Sequence, residues 1–511
     1  MENIMPNECL LSVDIGTESG RVALLTLDGK VVANSSKEYP LYCPKAEWAE
    51  QDPDDWWSAT EENIKNVLAE AQDPKVLAIG IGGQMHAPVP IGKNGELLLN
   101  RVPLWCDKRS NYLCEELKEK YDENDGLKLT GNAIIPSWTG FKMQWIKRNY
   151  PDIFKNTCKF LSCKDYLNLR LTGEMYTDYS EASATYLFDA EKKKWTTDLV
   201  LLLEQDTEKL PDIVEASNII GKVSRQASQR TGLKEGTPVV AGGGDMMCLL
   251  LGAGVAEYGQ ACDITGTAAD ISVFVEKPLY DPRLMHIHHV VPEGGWISFG
   301  ILDAGGGSFK WFKDTFCKAE VEEARAAKKS VYQLLSEKAA QVPIGSEKLL
   351  FFPYLLGERT LGTSRSRGVF FGLTPRHEIA HCVRAIMEGV TFDLNQSFEI
   401  IAQNGIDVDE IRAIGGGARS SLWCDIKANI YGKTIKTLKN FEGGVVGAAI
   451  LAGIGAGIYS DAADAAERVI SFDNTFHTDS EKMRYYFKQY QVYKSMHDVM
   501  QQYYYYLAKI D

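Results

Sequence analysis

Short apolar runs separated by glycine turns open the chain. Residues 10–14 and 22–28 read as two strands with an Asp28-Gly29 hairpin signal at the end of the second, and residues 31–39 as a third. The period then changes. Asp52-Pro53 is an N-cap followed by a proline at the first helical position, and Trp56, Thr60, Ile64, Val67 and Leu68 recur at helical spacing. Residues 76–80 return to a strand. The predicted order is strand, strand, strand, helix, strand.

A second copy of this opening lies near the middle. Residues 261–265 and 270–276 read as two strands around Gly266-Thr267. Asp14-Ile15-Gly16-Thr17 and Asp263-Ile264-Thr265-Gly266-Thr267 are alike, with spacing that differs by one residue. Two α/β lobes of related design follow, 1–254 and 255–511, with the change of lobe around 254–259. Further on, residues 378–403 predict a long helix with Ile379, Val383, Ile386, Val390, Leu394 and Ile401 near one face and Gly405 as terminator. A strand over 411–414, a turn at Gly415-Gly416-Gly417 and a helix over 420–431 come next. The run Tyr503–Tyr506 suits a packed or interfacial last helix, which can pack back on the first lobe.

Composition narrows the classes. Across 511 residues, 45% are hydrophobic and 24% charged, enough for large cores. The net charge of −14 argues against nucleic-acid backbone binding, though not against a nucleotide held by local N–H groups. Eleven scattered cysteines with no zinc-like spacing suit reduced thiols in the cytoplasm. Residues 1–9 do not read as a secretory signal. The most apolar stretch, 445–459, is shorter than the about 20 residues a bilayer span needs, so it predicts a buried helix and no membrane partner.

Three glycine motifs carry the chemistry. In Asp14-Ile15-Gly16-Thr17-Glu18-Ser19-Gly20-Arg21, glycine lets the backbone approach phosphate oxygens, N–H and hydroxyl groups donate to them, and a carboxylate can serve magnesium. An ordinary glycine hairpin would look similar. In Gly242-Gly243-Gly244-Asp245, the acid stands in an apolar setting that raises its pKa toward that of a general base. It could equally cap a helix. Gly415-Gly416-Gly417-Ala418-Arg419-Ser420 joins a strand to a helix N-terminus, which suits a nucleotide or a tight turn. Gly432-Lys433-Thr434 imitates a P-loop end but has Lys427 where the upstream glycine belongs. For His286, His288 and His289, strand alternation is a simpler reading than metal ligation.

Taken in order, these segments resemble the FGGY family of carbohydrate kinases, most closely its xylulokinase branch. The resemblance spans about residues 10–457. It includes Gly83-Gln84-Met85-His86, Leu104-Trp105-Cys106-Asp107-Lys108-Arg109, a first signature over 137–149 anchored by Lys142 and Trp145, residues 353–360, a second signature over 368–388, and the Gly/Ala-rich stretch 443–453. It implies two actin-like, ribonuclease-H-like lobes with ATP and sugar in the cleft between them. It further implies Asp245 as the catalytic base and Asp14 as the magnesium-associated carboxylate. Gly16, Thr17, Ser19, Arg21, Gly266, Thr267 and Gly306 would serve the phosphates, and Gly415, Gly416, Gly417 and Ser420 the adenosine. Gln84, Met85, His86, Trp105, Asp107, Asp245 and Met246 would line the sugar pocket, and a homodimer would be unsurprising.

Four positions depart from the pattern. Met246 stands where asparagine is usual, Ala87 replaces glycine, Leu361 replaces proline, and Cys382 replaces a larger aliphatic. Met246 removes a hydrogen bond to the sugar, and sugar pockets discriminate through such bonds. The resemblance therefore carries sugar phosphorylation further than the identity of the sugar: D-xylulose leads, with ribulose, erythritol, glycerol or gluconate as alternatives. A non-kinase ATP switch would lack the sugar loop and the Asp245 loop. A sugar-sensing regulator often adds a DNA-binding helix-turn-helix, for which the residues before Leu10 leave no room.

Overall fold

The computed structural model describes residues 8–72, 74–359, 361–439 and 443–510. β1 (Glu8–Ile15), β2 (Ser19–Leu25) and β3 (Val31–Glu38) form an antiparallel meander, and α1 (Pro53–Glu70) returns the chain to β4 (Lys75–Gly83), which runs parallel to β1. Asp52 caps α1 by accepting from the Asp54 N–H, and Pro53 sits in the first turn, as the sequence predicts. α2 (Thr139–Asn149), α3 (Cys163–Thr172) and the short α4 (Tyr179–Ser183) lie between β4 and the antiparallel β5 (Ile219–Lys222) and β6 (Pro238–Val240). β6 joins β4 in parallel, and α5 (Asp245–Gly252) follows. The sheet order is β5-β6-β4-β1-β2-β3.

β1 is buried on both faces because each face has its own cover. Cys9, Leu11, Val13 and Ile15 share a core with Trp56 and Trp57 of α1 and Tyr166 of α3. Leu10, Ala23, Leu25 and Ala78 share another core with residues 445–452, far along the chain. This second cover explains why β1 reads as a nearly continuous apolar run rather than an alternating one.

The second lobe repeats the plan. β7 (Ala261–Thr265), β8 (Ala269–Val275), β9 (Met285–His288) and β10 (Trp296–Leu302) are followed by α6 (Gly305–Phe316) and by the long α7 (Ile379–Gln403). β11 (Glu410–Ile414), α8 (Ser421–Tyr431), β12 (Thr434–Leu438), α9 (Gly443–Gly455), α10 (Ala462–Val469), β13 (Phe472–Phe476) and α11 (Ser480–Leu507) complete the chain. The sheet order is β9-β10-β8-β7-β11-β12-β13. Its core, β10-β8-β7-β11-β12, has the same order and strand directions as β3-β2-β1-β4-β6.

The long helix matches its expectation, with Gly405 left-handed just beyond its end. The lobes are not separated by a single cut in the chain. α9 and α10 lie past the expected division, yet α9 packs on β1 and β4 of the first sheet and along α5. Close approach requires small residues there. A Cβ on Gly80 would lie 2.0 Å from the Ala448 carbonyl oxygen, and one on Gly252 would lie 1.8 Å from that of Gly443. The 445–459 stretch is thus a buried helix only in its first part: the helix ends at Gly455, and residues 456 and 457 are exposed. No helix among the described residues is long and apolar enough to cross a membrane.

α11 packs on α7 and α8 of its own lobe rather than reaching back to the first. Tyr486, Tyr490, Tyr493 and Tyr504 are buried beneath it, whereas Tyr503, Tyr505 and Tyr506 are exposed. The three histidines of residues 286–289 are all buried, so simple alternation does not describe them. β9 is pressed against the first lobe instead. Asn132 donates to the His286 carbonyl (2.8 Å) and accepts from its N–H (2.9 Å), and Ser183 Oγ accepts from the His288 N–H (2.9 Å). No cluster of three metal-ligating side chains occurs among the described residues.

Candidate active site

Three neighbouring strand ends converge in the first lobe. Asp14 on β1 is in register with Gly82 on β4, and Gly82 with Gly243 of the loop before Asp245. One step further, Ile15, Gly83 and Gly244 are aligned. Gly16, Gln84 and Asp245 therefore leave the same edge of the sheet side by side, at the carboxyl ends of the strands where open α/β sheets place their ligands.

Burial pushes the Asp245 carboxyl up to about 7; the nearby Asp14 charge adds to this, while the Met246 N–H, donating to Asp245 Oδ1 at 2.7 Å, works against it. Burial likewise raises Asp14 to about 6, opposed by Arg21, its cross-strand neighbour. Asp245 is the first residue of α5 and Gly244 is the N-cap position, so the acid does not cap the helix itself. The loop ahead of it needs its glycines. Gly242 has φ +72°, and a Cβ there would lie 1.9 Å from the Ile81 carbonyl oxygen. A Cβ on Gly244 would lie 2.5 Å from Met85 Sδ. This loop and the loop of residues 84–86 thus pack directly together.

Met85 and His86 follow Gln84 into the site. His86 adopts φ +67°, a left-handed conformation that non-glycine residues hold only when neighbours enforce it. Lys142 supplies that restraint: its fully buried ammonium donates to the carbonyls of His86 (3.0 Å) and Ser137 (2.6 Å). Burial lowers Lys142 to about 7, and burial with the Lys142 charge lowers His86 to about 3. The neutral imidazole lies 3.1 Å from the Ala184 carbonyl at Nδ1, so Nδ1 carries the proton and Nε2 is left as an acceptor. Gln84 Nε2 donates to Gln51 Oε1 (2.7 Å), and Gln51 donates to the Thr17 carbonyl (2.7 Å).

At the phosphate hairpin, the space around Gly16 is open: a Cβ would meet nothing closer than 3.6 Å. Its N–H donates to the Ser19 carbonyl (3.1 Å), and its carbonyl accepts from the Tyr39 hydroxyl. Trp105 Nε1 donates to Thr17 Oγ1 at 2.9 Å, which leaves the threonine O–H to donate elsewhere. Trp105 therefore braces the hairpin. Asp107 is committed to the fold: one oxygen accepts from the Arg109 N–H and Nε, the other from Arg109 and the Ala49 N–H. Met246 is half-buried beside Asp245, and Ala87 is buried in the adjoining core.

The second lobe supplies the facing surface. Gly266 is equally open, since a Cβ there would also meet nothing closer than 3.6 Å, and Thr267 is exposed at the hairpin tip. The N–H groups of Gly306 and Gly307 donate to the carbonyls of Gly266 and Thr267, both at 2.9 Å, seating α6 on the hairpin. Gly415 (φ +81°) and Gly417 abut Thr265, while Gly416 has only the Thr265 carbonyl near it, at 3.8 Å. Ser420 caps α8, accepting from the Trp423 N–H at 3.3 Å. Beneath them Lys427 pairs with Asp263 and donates to Thr265 Oγ1 (2.7 Å). Leu361 and Cys382 pack at the margin of this lobe's core, and Thr360 lies outside the described residues.

Several participants carry no motif that points to a role. Lys142 is legible only as a signature anchor and Arg359 only as part of the 353–360 segment, and Gln51, Lys164 and Ser180 not at all. Arg359 pairs with Asp303, just ahead of Gly305, and its charge reaches His86 across the cleft. Glu358, next to it, is held by His497 (2.6 Å) and Gln501 (3.1 Å) of α11. Lone lysines and arginines leave little local pattern; their partners are distant in sequence.

Two lobes that each carry a glycine hairpin, with a raised-pKa aspartate beside a polar loop, suit a phosphotransferase acting on a small hydroxylated substrate. Residues 9–252 match the N-terminal domain of the FGGY family of carbohydrate kinases, and residues 266–456 match its C-terminal domain. The chain belongs to that family and has its actin-like, ribonuclease-H-like fold. It is 33% identical to a xylulose kinase of Bacillus subtilis, over 96% of each chain, and 30% identical to a gluconokinase of the same organism, over 91% of this chain and 89% of the relative. The solved structure of a xylulose kinase from Lactobacillus acidophilus superposes with a TM-score of 0.89 at 26% identity, covering 98% of this chain and 100% of that one.

Proposed function

We propose that the protein transfers the γ-phosphoryl group of ATP to a terminal hydroxyl of D-xylulose, giving D-xylulose 5-phosphate, in the cytoplasm. The observation that carries this reading is the register of Asp14, Gly82 and Gly243, which sets Asp245 beside Gln84, Met85 and His86. Asp245, poised near 7, accepts the hydroxyl proton as the oxygen attacks phosphorus. His86 Nε2 accepts a hydrogen bond from a sugar hydroxyl. Thr17 and Thr267 donate to the phosphoryl oxygens from opposite lobes, Gly415 to Gly417 lie against the adenosine, and closure excludes water.

The residues fit a magnesium ion. Asp14 and Asp245 are two raised carboxylates, the first raising the second, and glycine at 444 keeps a side chain off the Asp14 carboxylate, since a Cβ there would lie 2.5 Å from Asp14 Oδ2. Asp14 would hold the ion, directly or through water, and the ion when bound neutralises charge on the phosphates. A sugar acid is the alternative substrate, given the gluconokinase relative. A neutral sugar is favoured because both cations whose charge reaches His86 are already engaged: Lys142 donates to the His86 and Ser137 carbonyls, and Arg359 is paired with Asp303. Comparison of kcat/KM for D-xylulose and D-gluconate tests this. A preference for xylulose of tenfold or more is expected, about 1.4 kcal/mol; preference for gluconate would move the substrate.

A further inference from the structure

We propose that a buried chain of side chains, Lys164, Asp178 and Ser180, sets the catalytic loop against the sugar loop, so that Lys164 and Ser180 are positioning residues for phosphoryl transfer. The proposal rests on Asp245 acting as the base. The loop from Ala241 to Gly244 has one methyl group and three glycines, so it has almost no side chain by which to be held. It is gripped at both ends through its backbone. At one end the Ala241 carbonyl accepts from Lys164 Nζ (3.2 Å) and Asn168 Nδ2 (2.7 Å). At the other the Gly244 N–H, one residue before the base, donates to Ser180 Oγ (2.9 Å).

These two grips are one network. Ser180 Oγ donates to Asp178 Oδ2 at 2.5 Å, a short charge-assisted bond, and Asp178 Oδ1 pairs with Lys164 Nζ at 3.0 Å. Lys164 also pairs with Asp165. Both ends of the loop therefore trace to a single ammonium that is fully buried. Its ion pairs with Asp165 and Asp178 lead the effects that outweigh burial and keep it charged. The same lysine lies under the sugar loop: a Cβ on Gly83, one residue before Gln84, would be 3.1 Å from the Lys164 Cβ and backbone nitrogen. One residue thus registers the loop that carries the base and the loop that faces the sugar. A misplacement of about 1 Å between reacting groups can lower a rate by about 10²-fold.

The test is Ser180→Ala, which removes one acceptor and keeps the volume, measured beside Asn168→Ala and the double variant. Rates are expressed per ATP-binding site counted by calorimetry, so that an unfolded fraction cannot imitate the effect. We expect Ser180→Ala to lower kcat by about 10–100-fold with KM for ATP and sugar within about twofold. The double variant should lose less than the product of the two single losses, because both act through one loop. Wild-type kcat in Ser180→Ala, or losses that multiply, would overturn the proposal. Asp245→Asn in the same series separates the two ideas: full activity there sinks the base reading, whereas an inactive Asp245→Asn beside a normal Ser180→Ala sinks only the positioning.

Discussion

Replacing Asp245 by asparagine should slow turnover and stabilise the protein at the same time, in a pH-dependent way. Burial and the Asp14 charge raise this carboxyl from 3.8 to about 7. A raised acid binds its proton more tightly when folded, so its contribution to stability is intact below about pH 4 and is lost as pH rises toward about 7. Each pKa unit is worth ~1.4 kcal/mol, so a shift of about three units sets a ceiling of ~4 kcal/mol. Asp245 is only partly covered, and screening in an open cleft reduces this to about 1–3 kcal/mol. Asparagine keeps the shape without the charge. At roughly 2–4 °C per kcal/mol for a unit of this size, the variant should melt about 2–12 °C above wild type near pH 8. The gap should shrink by about half near pH 5 and vanish below about pH 4. Calorimetric melting of the ligand-free protein across that range is the assay. An asparagine variant that melts lower than wild type near pH 8, or a gap independent of pH, would refute the reasoning.

Further outcomes follow from neighbouring geometry. The acid limb of kcat/KM should fall near pH 7, the value to which Asp245 is raised, and Asp14→Asn, by removing a like charge, should move the limb of the residual activity to lower pH; an unmoved limb would disconnect the pair. Gly444→Ala should cut kcat by at least about tenfold with the fold retained, because its Cβ would lie 2.5 Å from Asp14 Oδ2; wild-type rates would remove Asp14 from the chemistry. Trp105→Phe frees the Thr17 hydroxyl and should raise KM for ATP about 3–10-fold, equivalent to one hydrogen bond of ~1 kcal/mol, with KM for sugar changed less. The opposite split would return Trp105 to the sugar pocket.

How legible the molecule is depends on range along the chain. β1, β2, α1 and β7 announce themselves through local period, turn residues and a cap, and the Asp245 loop through its glycines. The destination of α9 does not: nothing within residues 443–455 says that they cover β1, more than four hundred residues earlier. The buried histidines of β9 defeat a local reading for the same reason, since their cover is Asn132 and Ser183 in the other lobe. Asp107 shows the converse limit. Its motif suggests a ligand, yet both oxygens are taken by Arg109 and Ala49, a saturation visible only once partners are in place. Lys164 and Ser180 work through backbone groups of a distant loop, and sequence records backbone contacts poorly.

The most direct test of the account is ADP release from Mg-ATP with D-xylulose, run for the wild type and for Asp245→Asn, with the sugar phosphate quantified. The account predicts one sugar phosphate per ADP, little ATP hydrolysis without sugar, and a kcat lower by about 10²–10⁴ in the variant. Equal turnover in the variant, or ATP hydrolysis that ignores the sugar, would contradict it.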